Sequence, residues 1–276
     1  MNKILVTGSS GYIGQHLCKI LKSAGYEVWG FDKDMNRTNV DTFIHQSVLN
    51  LAPATKEFVF DTVVHLAALV RVNESVEKPL DYYNTNFNGT VNMLHNCNYK
   101  NFIFASTGAA ENPISPYSLS KRCAEDVVKS YCLENDKHFT TFRFYNVIGS
   151  DGIPPTNSDG LFSNLIKAKE TGYFNLFGTD YDTPDGSPIR DYVHVVEICE
   201  AILKAIEVPA NQLENLGHGV GHSVKEMAET FKIVNKCEFN VNYCGRRDGD
   251  LEKSVLDNPS IYLQPKYTLQ ELLEVK

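Results

Sequence analysis

Thr107, Tyr117 and Lys121 bring a hydroxyl, a phenol and an ammonium into one short segment, FASTGAAENPISPYSLSK at residues 104–121. Tyr117 and Lys121 are four residues apart on a helix predicted to begin after Ser115, so both side chains lie on one helix face. A nearby ammonium favours the phenolate form of a tyrosine and lowers its pKa toward the range of a general base. Many surface helices carry such a pair, so its spacing predicts a proton-transfer site only if other residues converge on it.

A second candidate feature is the glycine-rich turn TGSSGYIG, which places Gly8, Gly11 and Gly14 directly after the first predicted strand. Glycines there permit a tight turn and a close approach of the backbone to a pyrophosphate, and the following helix presents its N-terminus to the anion. Asp32 ends the second predicted strand, where a carboxylate accepts hydrogen bonds from the ribose of an adenine dinucleotide. The pattern predicts dinucleotide binding.

The residue at position 32 also indicates which dinucleotide binds. The negative charge of Asp32 repels the 2′-phosphate of NADP, and NAD is therefore the predicted cofactor. Lys33 and Arg37 follow closely and weigh toward NADP. Two later segments, DTVVHLAAL and TNFNGT, offer small or hydrogen-bonding residues that would suit a cofactor, although core packing explains each of them equally well alone.

The elements that must position these residues alternate between apolar strands and helical patterns. Continuous apolar strands separated by helices are typical of a parallel sheet covered on both faces, so we predict an α/β fold with a doubly wound parallel sheet. Ligands of such sheets bind beyond the carboxyl ends of the strands, where Thr107 is expected. The predicted strands are KILVTG, YEVWGFD, TFIHQSV, DTVVHLA, NFIFAS and HFTTFRFYNV, and the predicted helices of this part are Gly11–Ala24, Pro79–Asn96 and Pro116–Glu134.

The character of the chain changes after Gly149, where segments rich in glycine, proline and aspartate begin. We predict a Rossmann domain over residues 1–150, to which the chain returns at 191–209, and a smaller mixed α/β lobe over residues 151–276. The loops of this lobe are expected to carry function.

Composition excludes several classes of protein. A net charge of −8 and a pI of about 5.5 give no attraction to nucleic acid or to anionic membranes. No apolar run approaches the roughly 20 residues that cross a bilayer. Seven cysteines without metal-ligand spacing, and no signal-peptide pattern after Met1, predict reduced thiols and a cytoplasmic location. No metal site is expected, since His218 and His222 are separated by glycines and lack a third ligand.

The motifs together resemble a known family. TGSSGYIG, VHLAAL, ESVEKPLDYYNTN, NFIFAST, FYNVIG, FGTDYDTPDGSPIRDYVHV, NLGHGVGHSV and RRDGDL follow in the order found in extended short-chain dehydrogenases/reductases. Within that superfamily the chain most resembles the UDP-sugar 4-epimerases of the UDP-glucose type, over nearly its whole length. The long irregular segment FGTDYDTPDGSPIRDYVHV carries most of this resemblance.

The resemblance implies a reaction and its catalytic residues. Tyr117 would take the proton of the sugar 4-hydroxyl while hydride leaves C4, Thr107 would relay through its hydroxyl, and Lys121 would bind the nicotinamide ribose and tune the tyrosine. The resulting 4-keto sugar would rotate within the site, and hydride would return to its other face, so that NAD is retained. A homodimer is implied by the similarity of residues 81–96 and 117–134 to the paired helices of the family.

The resemblance also implies two sets of binding residues. Those that would contact NAD are Gly8, Ser10, Gly11, Tyr12, Ile13, Gly14, Asp32, Ser47, Val48, Leu66, Ala67, Ala68, Thr85, Tyr117, Lys121 and Tyr145. Those that would contact the UDP-sugar are Thr107, Tyr117, Asn146, Asn175, Phe177, Arg190, Arg247, Asp250 and Ser254.

The chain departs from the family pattern in several places. Ser47 stands where the family usually has an aspartate against adenine, and Val70 stands where a lysine is frequent. The connection between Thr107 and Tyr117 is short. Ser254 occupies a position that is bulky in glucose-restricted epimerases and small in those that accept N-acetylated sugars, so we expect UDP-GlcNAc and UDP-GalNAc to be accepted too.

Three alternatives compete with the epimerase interpretation. A 4,6-dehydratase would need acidic residues directly after Thr107, where Gly108 and Ala109 stand. A reductase would consume NADPH and would favour a basic or neutral residue at Asp32. A non-catalytic NAD-binding protein would keep the fold, but the intact Thr107, Tyr117 and Lys121 argue against it.

Overall fold

The structure is a computed structural model that describes residues 2–35, 39–51, 56–156, 160–247 and 250–275, so Arg37 lies outside the described residues. The chain divides into two compact units. The first contains residues 1–144 and 199–214, and the second contains residues 145–198 and 215–276. The sequence assigns NAD binding to residues 1–150 and substrate binding to residues 151–276, and this assignment of roles stays a prediction.

The first unit is built on a seven-stranded sheet with the order β10-β6-β5-β4-β1-β2-β3. Neighbouring strands from β3 through β6 pair in parallel, as the alternation of apolar strands and helices predicts. The strands are β1 Lys3–Thr7, β2 Glu27–Asp32, β3 Thr42–His45, β4 Val59–His65, β5 Asn98–Thr107, β6 His138–Phe144 and β10 Asn211–Leu216. The predicted α/β parallel sheet is confirmed.

The helices of the first unit include the predicted ones, with two differences: a short helix at Val72–Glu77 that is absent from the prediction, and a π-helical interruption. They are α1 Tyr12–Ser23, α2 Val72–Glu77, α3 Pro79–Tyr82, α4 Gly89–Asn96 and α5 Pro116–Glu134. A π-helical segment, Tyr83–Asn88, interrupts the single helix predicted over Pro79–Asn96. Such segments often mark functional positions, and this one carries Asn86, whose side chain bonds the backbone of Leu69.

Apolar side chains on both faces of the sheet form the core of the first unit. Leu5, Phe60, Phe102 and Phe104 of the strands are fully buried, and Val128 of α5 packs with them. Helix α5 begins with a capping box in which Ser115 and Ser118 bond each other's backbone, and Pro116 occupies the first helical position. The start of α5 is therefore fixed two residues before the predicted base, Tyr117.

The second unit contains short strands and helices around its own core. Its strands are β7 Asn146–Ile148, β8 Tyr173–Phe177, β9 Ile189–His194, β11 Gly221–Ser223, β12 Asn240–Cys244 and β13 Lys253–Ser254, and its helices are α6 Leu161–Thr171, α8 Val224–Asn235 and α9 Leu269–Leu273. Helix α7, Val195–Glu207, is divided between the units at residue 199. β9 lies between β11 and β13, and β8 pairs in parallel with β12.

Within the part of the chain that the structure describes, no helix is both long enough and apolar enough to cross a membrane.

Candidate active site

The glycine-rich turn lies at the carboxyl end of β1. Gly8 has a φ of 70°, in the left-handed region that favours glycine, and a Cβ there would lie 2.9 Å from the backbone nitrogen of Ala67. A Cβ on Gly14 would lie 2.8 Å from the Cα of Ser9 and against the carbonyl oxygen of Gly8. Helix α1 starts after Gly11, which has no side chain to accept the N–H groups of the first turn. The turn therefore suits a phosphate-bearing ligand.

Asp32 lies at the end of β2, beside this turn. One carboxylate oxygen accepts the N–H of Ser10 at 2.9 Å, and the other accepts the N–H of Asp34 at 3.0 Å. These bonds hold the carboxylate at the edge of the glycine turn, and the side chain is half-buried. Of the predicted cofactor residues, Tyr12 and Ile13 occupy the first turn of α1 and are also half-buried. The donor set fits an adenine dinucleotide.

The end of β4 brings Leu66, Ala67 and Ala68 next to the glycine turn. The N–H of Leu66 donates to the carbonyl of Thr7 at 3.2 Å, and the N–H of Ala67 donates to the Thr7 hydroxyl at 3.2 Å. A larger residue at Gly8 would collide with this backbone, so the two strand ends approach as closely as the sequence pattern suggests.

Ser47 and Val48 follow β3, and Thr85 lies in the π-helical segment. The Ser47 hydroxyl accepts the N–H of Leu49 at 3.3 Å, whereas Val48 is buried and would contact a Cβ placed on Gly89. Thr85 is half-buried. The structure places these three residues in the first unit and assigns no ligand contact to them, so their role in binding NAD stays a prediction.

Tyr117 and Thr107 meet at the junction of β5 and α5. Burial raises the pKa of Tyr117, and the hydrogen bond from the Thr107 hydroxyl lowers it. The Tyr117 ring packs edge to face on Tyr82, with centroids 6.3 Å apart. The Tyr82 hydroxyl is fixed in turn, because it accepts the N–H of Arg71 at 3.0 Å and donates to Glu74 at 3.1 Å. The phenol is therefore held beside the hydroxyl that the sequence paired with it.

Lys121 is 3% exposed, and its ammonium nitrogen lies 4.3 Å from the centroid of the Phe104 ring. Burial lowers the pKa of Lys121 to about 7, against an opposing effect of the Glu125 carboxylate. The sequence predicts that Lys121 lowers the pKa of Tyr117. In the structure Thr107 lowers the pKa of the phenol, and the same role for Lys121 stays a prediction.

In the second unit, Arg190 and Ser254 are neighbours. They are paired in register between β9 and β13, and the Arg190 guanidinium forms an ion pair with Asp250. Arg190 also donates to the carbonyl of its neighbour Ile189 at 2.8 Å. One arginine, one carboxylate and one small hydroxyl residue, all predicted to bind the UDP-sugar, thus share one place in this unit.

Phe177 and Arg247 form a second group in this unit. The Arg247 guanidinium lies 3.9 Å from the centroid of the Phe177 ring, and Asn175, two residues earlier on β8, is bonded to Asn242 of β12 at 3.2 Å. An aromatic ring capped by a guanidinium suits a planar base and an adjacent phosphate. All three positions are among those predicted to contact the UDP-sugar, and this role stays a prediction.

Tyr145 and Asn146 stand at the start of the second unit and are half-buried. The N–H of Tyr145 donates to the carbonyl of Leu216 at 3.0 Å, and the Asn146 amide donates to the carbonyl of Asp191 at 3.0 Å. The contacts predicted for them with the nicotinamide and the diphosphate stay predictions. His218 and His222, in the segment NLGHGVGHSV, each bond a carboxylate: His218 bonds Glu197 and His222 bonds Glu226.

Sequence reasoning missed a buried polar network below the site. His65 is 1% exposed and lies between the Thr7 hydroxyl, at 2.7 Å from Nδ1, and the Thr90 hydroxyl, at 3.1 Å from Nε2. Thr90 donates to the carbonyl of Asn86 at 2.6 Å, and the Asn86 amide donates to the Ser120 hydroxyl at 3.1 Å. The only sequence signal for it is polar residues at positions where the strand and helix patterns place the core.

Comparison with known proteins gives a consistent picture. The model of the NAD dependent epimerase/dehydratase family matches residues 4–217. The UDP-glucose 4-epimerase of Rhizobium meliloti is 31% identical, over 99% of this chain and 95% of that protein. The crystal structure of UDP-glucose 4-epimerase from Brucella ovis in complex with NAD superposes with a TM-score of 0.90, at 27% identity, over 99% of this chain and 96% of that one. The UDP-Glc/GlcNAc 4-epimerase from Campylobacter jejuni gives a TM-score of 0.82 at 28% identity, over 99% and 97% of the two chains.

Proposed function

The chain belongs to the NAD dependent epimerase/dehydratase family, and we propose that it inverts C4 of a UDP-hexose in an NAD-dependent reaction that passes through a 4-keto sugar. The observation that carries this proposal is that Thr107 at the end of β5, with Tyr117 and the buried Lys121 on α5, lies in the same unit as the glycine turn. The relatives named UDP-glucose 4-epimerase support the choice of reaction.

The first unit would hold NAD. The glycine turn would face the pyrophosphate, Asp32 would bind the adenosine ribose, and Lys121 would bind the nicotinamide ribose. Bound NAD supplies a reversible acceptor for hydride at the sugar C4. Because hydride is taken and returned in one cycle, the reaction needs no net supply of reduced cofactor.

The chain's own groups move the proton. Tyr117 takes the proton of the sugar 4-hydroxyl and later returns it, and Thr107 orients the phenol through their hydrogen bond. Burial keeps the phenol neutral in the protein alone, so the phenolate must be stabilised by charge that arrives with the ligands or by Lys121 in its ammonium form. Tyr117 can therefore remove a proton only when NAD and the sugar are bound.

The second unit would hold the UDP group. Arg190 and Arg247 supply guanidinium groups for the diphosphate, and Phe177 supplies a ring for the base. Asp250 forms an ion pair with Arg190 and keeps the guanidinium group in one orientation. Ser254 is the small residue of this group, so we propose that N-acetylated UDP-hexoses are accepted as well as UDP-glucose and UDP-galactose, as the name of the Campylobacter jejuni relative states for that protein.

We also propose a cytoplasmic homodimer. Its seven cysteines are all free, as is typical of a reducing compartment. Helix α5 exposes Leu119, Cys123 and Leu133 along one side, and these residues would lie in the contact with a second copy.

One experiment tests the function directly. The purified protein is incubated separately with UDP-glucose, UDP-galactose, UDP-GlcNAc and UDP-GalNAc, and the products are separated by chromatography. We expect interconversion within each pair without net change in NADH absorbance. Net consumption of NADPH would indicate a reductase instead, and no reaction with any sugar would contradict the proposal.

A variant pair tests the catalytic role of Tyr117. Tyr117→Phe should lower turnover about 10²- to 10⁴-fold, since this is the range for a general acid–base group, while the protein still binds NAD. Tyr131→Phe on the same helix is the matched control and should keep full activity. Unchanged turnover in Tyr117→Phe would refute the mechanism.

A further inference from the structure

A buried ionic cluster lies one helical turn beyond Lys121. The Glu125 carboxylate accepts two bonds from the Arg143 guanidinium, at 2.8 Å and 2.7 Å, and one from the Ser106 hydroxyl at 2.6 Å. All three residues are nearly inaccessible, with exposures of 4% for Glu125, 6% for Arg143 and 4% for Ser106. A charge in such a place is retained only with a full set of partners, so this cluster is a fixed part of the structure.

The three residues come from three adjoining elements. Ser106 of β5 and Arg143 of β6 are register partners on neighbouring strands, and Glu125 reaches them from α5. Ser106 directly precedes Thr107, and Glu125 lies four residues after Lys121. The cluster therefore fixes α5 against the strand that carries the Thr107 hydroxyl.

Charged and titratable groups surround Lys121 on several sides. On α5 itself, Tyr117 lies one turn before it and Glu125 one turn after it. His65 of β4 is close enough that the lysine lowers the pKa of the imidazole, and burial with this effect brings it to about 3, so His65 is neutral. Arg143 of β6 acts through Glu125. The uncharged ring of Phe104 also lies against the Lys121 ammonium.

This arrangement leaves Glu125 as the negative group next to Lys121. It opposes the burial that otherwise favours the neutral amine. Its own charge is balanced by the bidentate bonds of Arg143, so the strength of its effect on Lys121 depends on that pair staying intact.

We propose that Glu125 is a positioning residue for the proton-transfer site: held by Arg143 and Ser106, it keeps Lys121 in its ammonium form and seats Tyr117 beside Thr107. The inference rests on the proposed function, because it assigns to Lys121 the task of binding NAD as a cation. The charges of Glu125 and Arg143 predict opposite shifts in the protonation of Lys121, which a purely structural ion pair would not produce. Removing the negative partner must favour the neutral amine, and removing the positive partner must favour the ammonium.

The test measures the affinity for NAD between pH 6 and pH 9 on protein freed of cofactor. In the wild type, affinity should fall as Lys121 loses its proton. Glu125→Gln should move this midpoint down by about one pH unit, the low end of the effect of a neighbouring charge, and Arg143→Gln should move it up. The double variant, which removes both charges, should return the midpoint close to that of the wild type.

If the variants lose affinity by one factor at every pH and the midpoint does not move, the cluster is structural and the inference is wrong. If Glu125→Gln does not fold, the shift in Arg143→Gln decides alone, because that variant keeps the Glu125 carboxylate: an upward shift supports the inference, and an unmoved midpoint overturns it. A chain that binds NAD at no pH would overturn the proposed function, and the inference with it, whereas NAD binding with a fixed midpoint overturns the inference alone.

Discussion

Substitution of His65 by glutamine should make the stability of the first unit nearly independent of pH between 5 and 6.5. The basis is the hydrogen bonding of the imidazole. Thr90 has a single hydroxyl proton, which it donates to the carbonyl of Asn86, so it accepts from Nε2–H of His65. Nδ1 then accepts the Thr7 hydroxyl proton. The neutral ring is fully satisfied, and a second proton would leave the Thr7 hydroxyl with no acceptor.

The size and sign of the effect follow from the pKa of His65. Burial, with the nearby Lys121, lowers this pKa from 6.5 to about 3. Between these values the unfolded chain binds a proton that the folded chain does not, so the folded state loses stability as the pH falls through this window. At pH 5 the window spans about 1.5 pH units, and at about 1.4 kcal/mol per unit the loss is about 2 kcal/mol.

Urea unfolding at pH 6.5 and pH 5.0 measures this loss. The single tryptophan, Trp29, is buried in β2 of the first unit, so its fluorescence reports the unfolding of that unit. His65→Gln should lower stability at both pH values, because the ring also packs on Phe104, with centroids 5.9 Å apart. Because half of the unfolded chains already carry this proton at pH 6.5, the fall between the two pH values should shrink by about 1.6 kcal/mol.

The matched control is His138→Gln, which removes an exposed histidine and should leave the fall between the two pH values unchanged. If His65→Gln loses as much stability as the wild type on acidification, His65 is not the group that titrates, and the assignment of its bonds is wrong.

Two further substitutions test the turn and the loops. Gly14→Ala places a Cβ 2.8 Å from the Cα of Ser9, so the backbone of the turn must shift to make room. We expect an NAD titration to show at least a roughly tenfold loss of affinity. The control is Gly160→Ala, which has open space around its Cβ and should bind NAD normally. Asp191→Asn should lower the free energy of unfolding by about 1–3 kcal/mol, because the carboxylate accepts three backbone N–H groups that an amide cannot all satisfy. The exposed Asp257→Asn is its control in thermal unfolding, and equal melting temperatures of the two variants would contradict this account.

Elements with local signals were predictable from the sequence. Helix α5 has the predicted bounds, Pro116–Glu134, because the Ser115 cap and the proline at its first position act within one turn. The spacing of Gly8, Gly11 and Gly14 likewise predicts the geometry of the glycine turn. The π-helical segment Tyr83–Asn88 was not predictable, since Asn86 bonds both backbone groups of Leu69, and that contact exists only after the chain has folded.

The site residues divide in the same way. Spacing showed that Tyr117 and Lys121 share a helix face, but spacing carries no information on burial. Burial lowers the pKa of Lys121 to about 7 and raises the pKa of Tyr117, and neither shift could be read from the spacing. The Glu125 and Arg143 pair was invisible for the same reason, because its members are distant in the sequence and meet across β5, β6 and α5.

A continuous chain of hydrogen bonds explains why these motifs occur together. From the Thr7 hydroxyl at the end of β1 it passes through His65 and Thr90 to Asn86, and from the Asn86 amide to the Ser120 hydroxyl. Ser120 then donates to the carbonyl of Tyr117 at 2.7 Å.

These groups are buried, so a change at any member of the chain leaves a polar group without its partner. The strand that supports the glycine turn and the helix that carries the tyrosine are thereby set at a fixed separation. If NAD binds at the glycine turn and Tyr117 is the base, as we propose, the buried polar residues keep the hydride acceptor at one distance from that base.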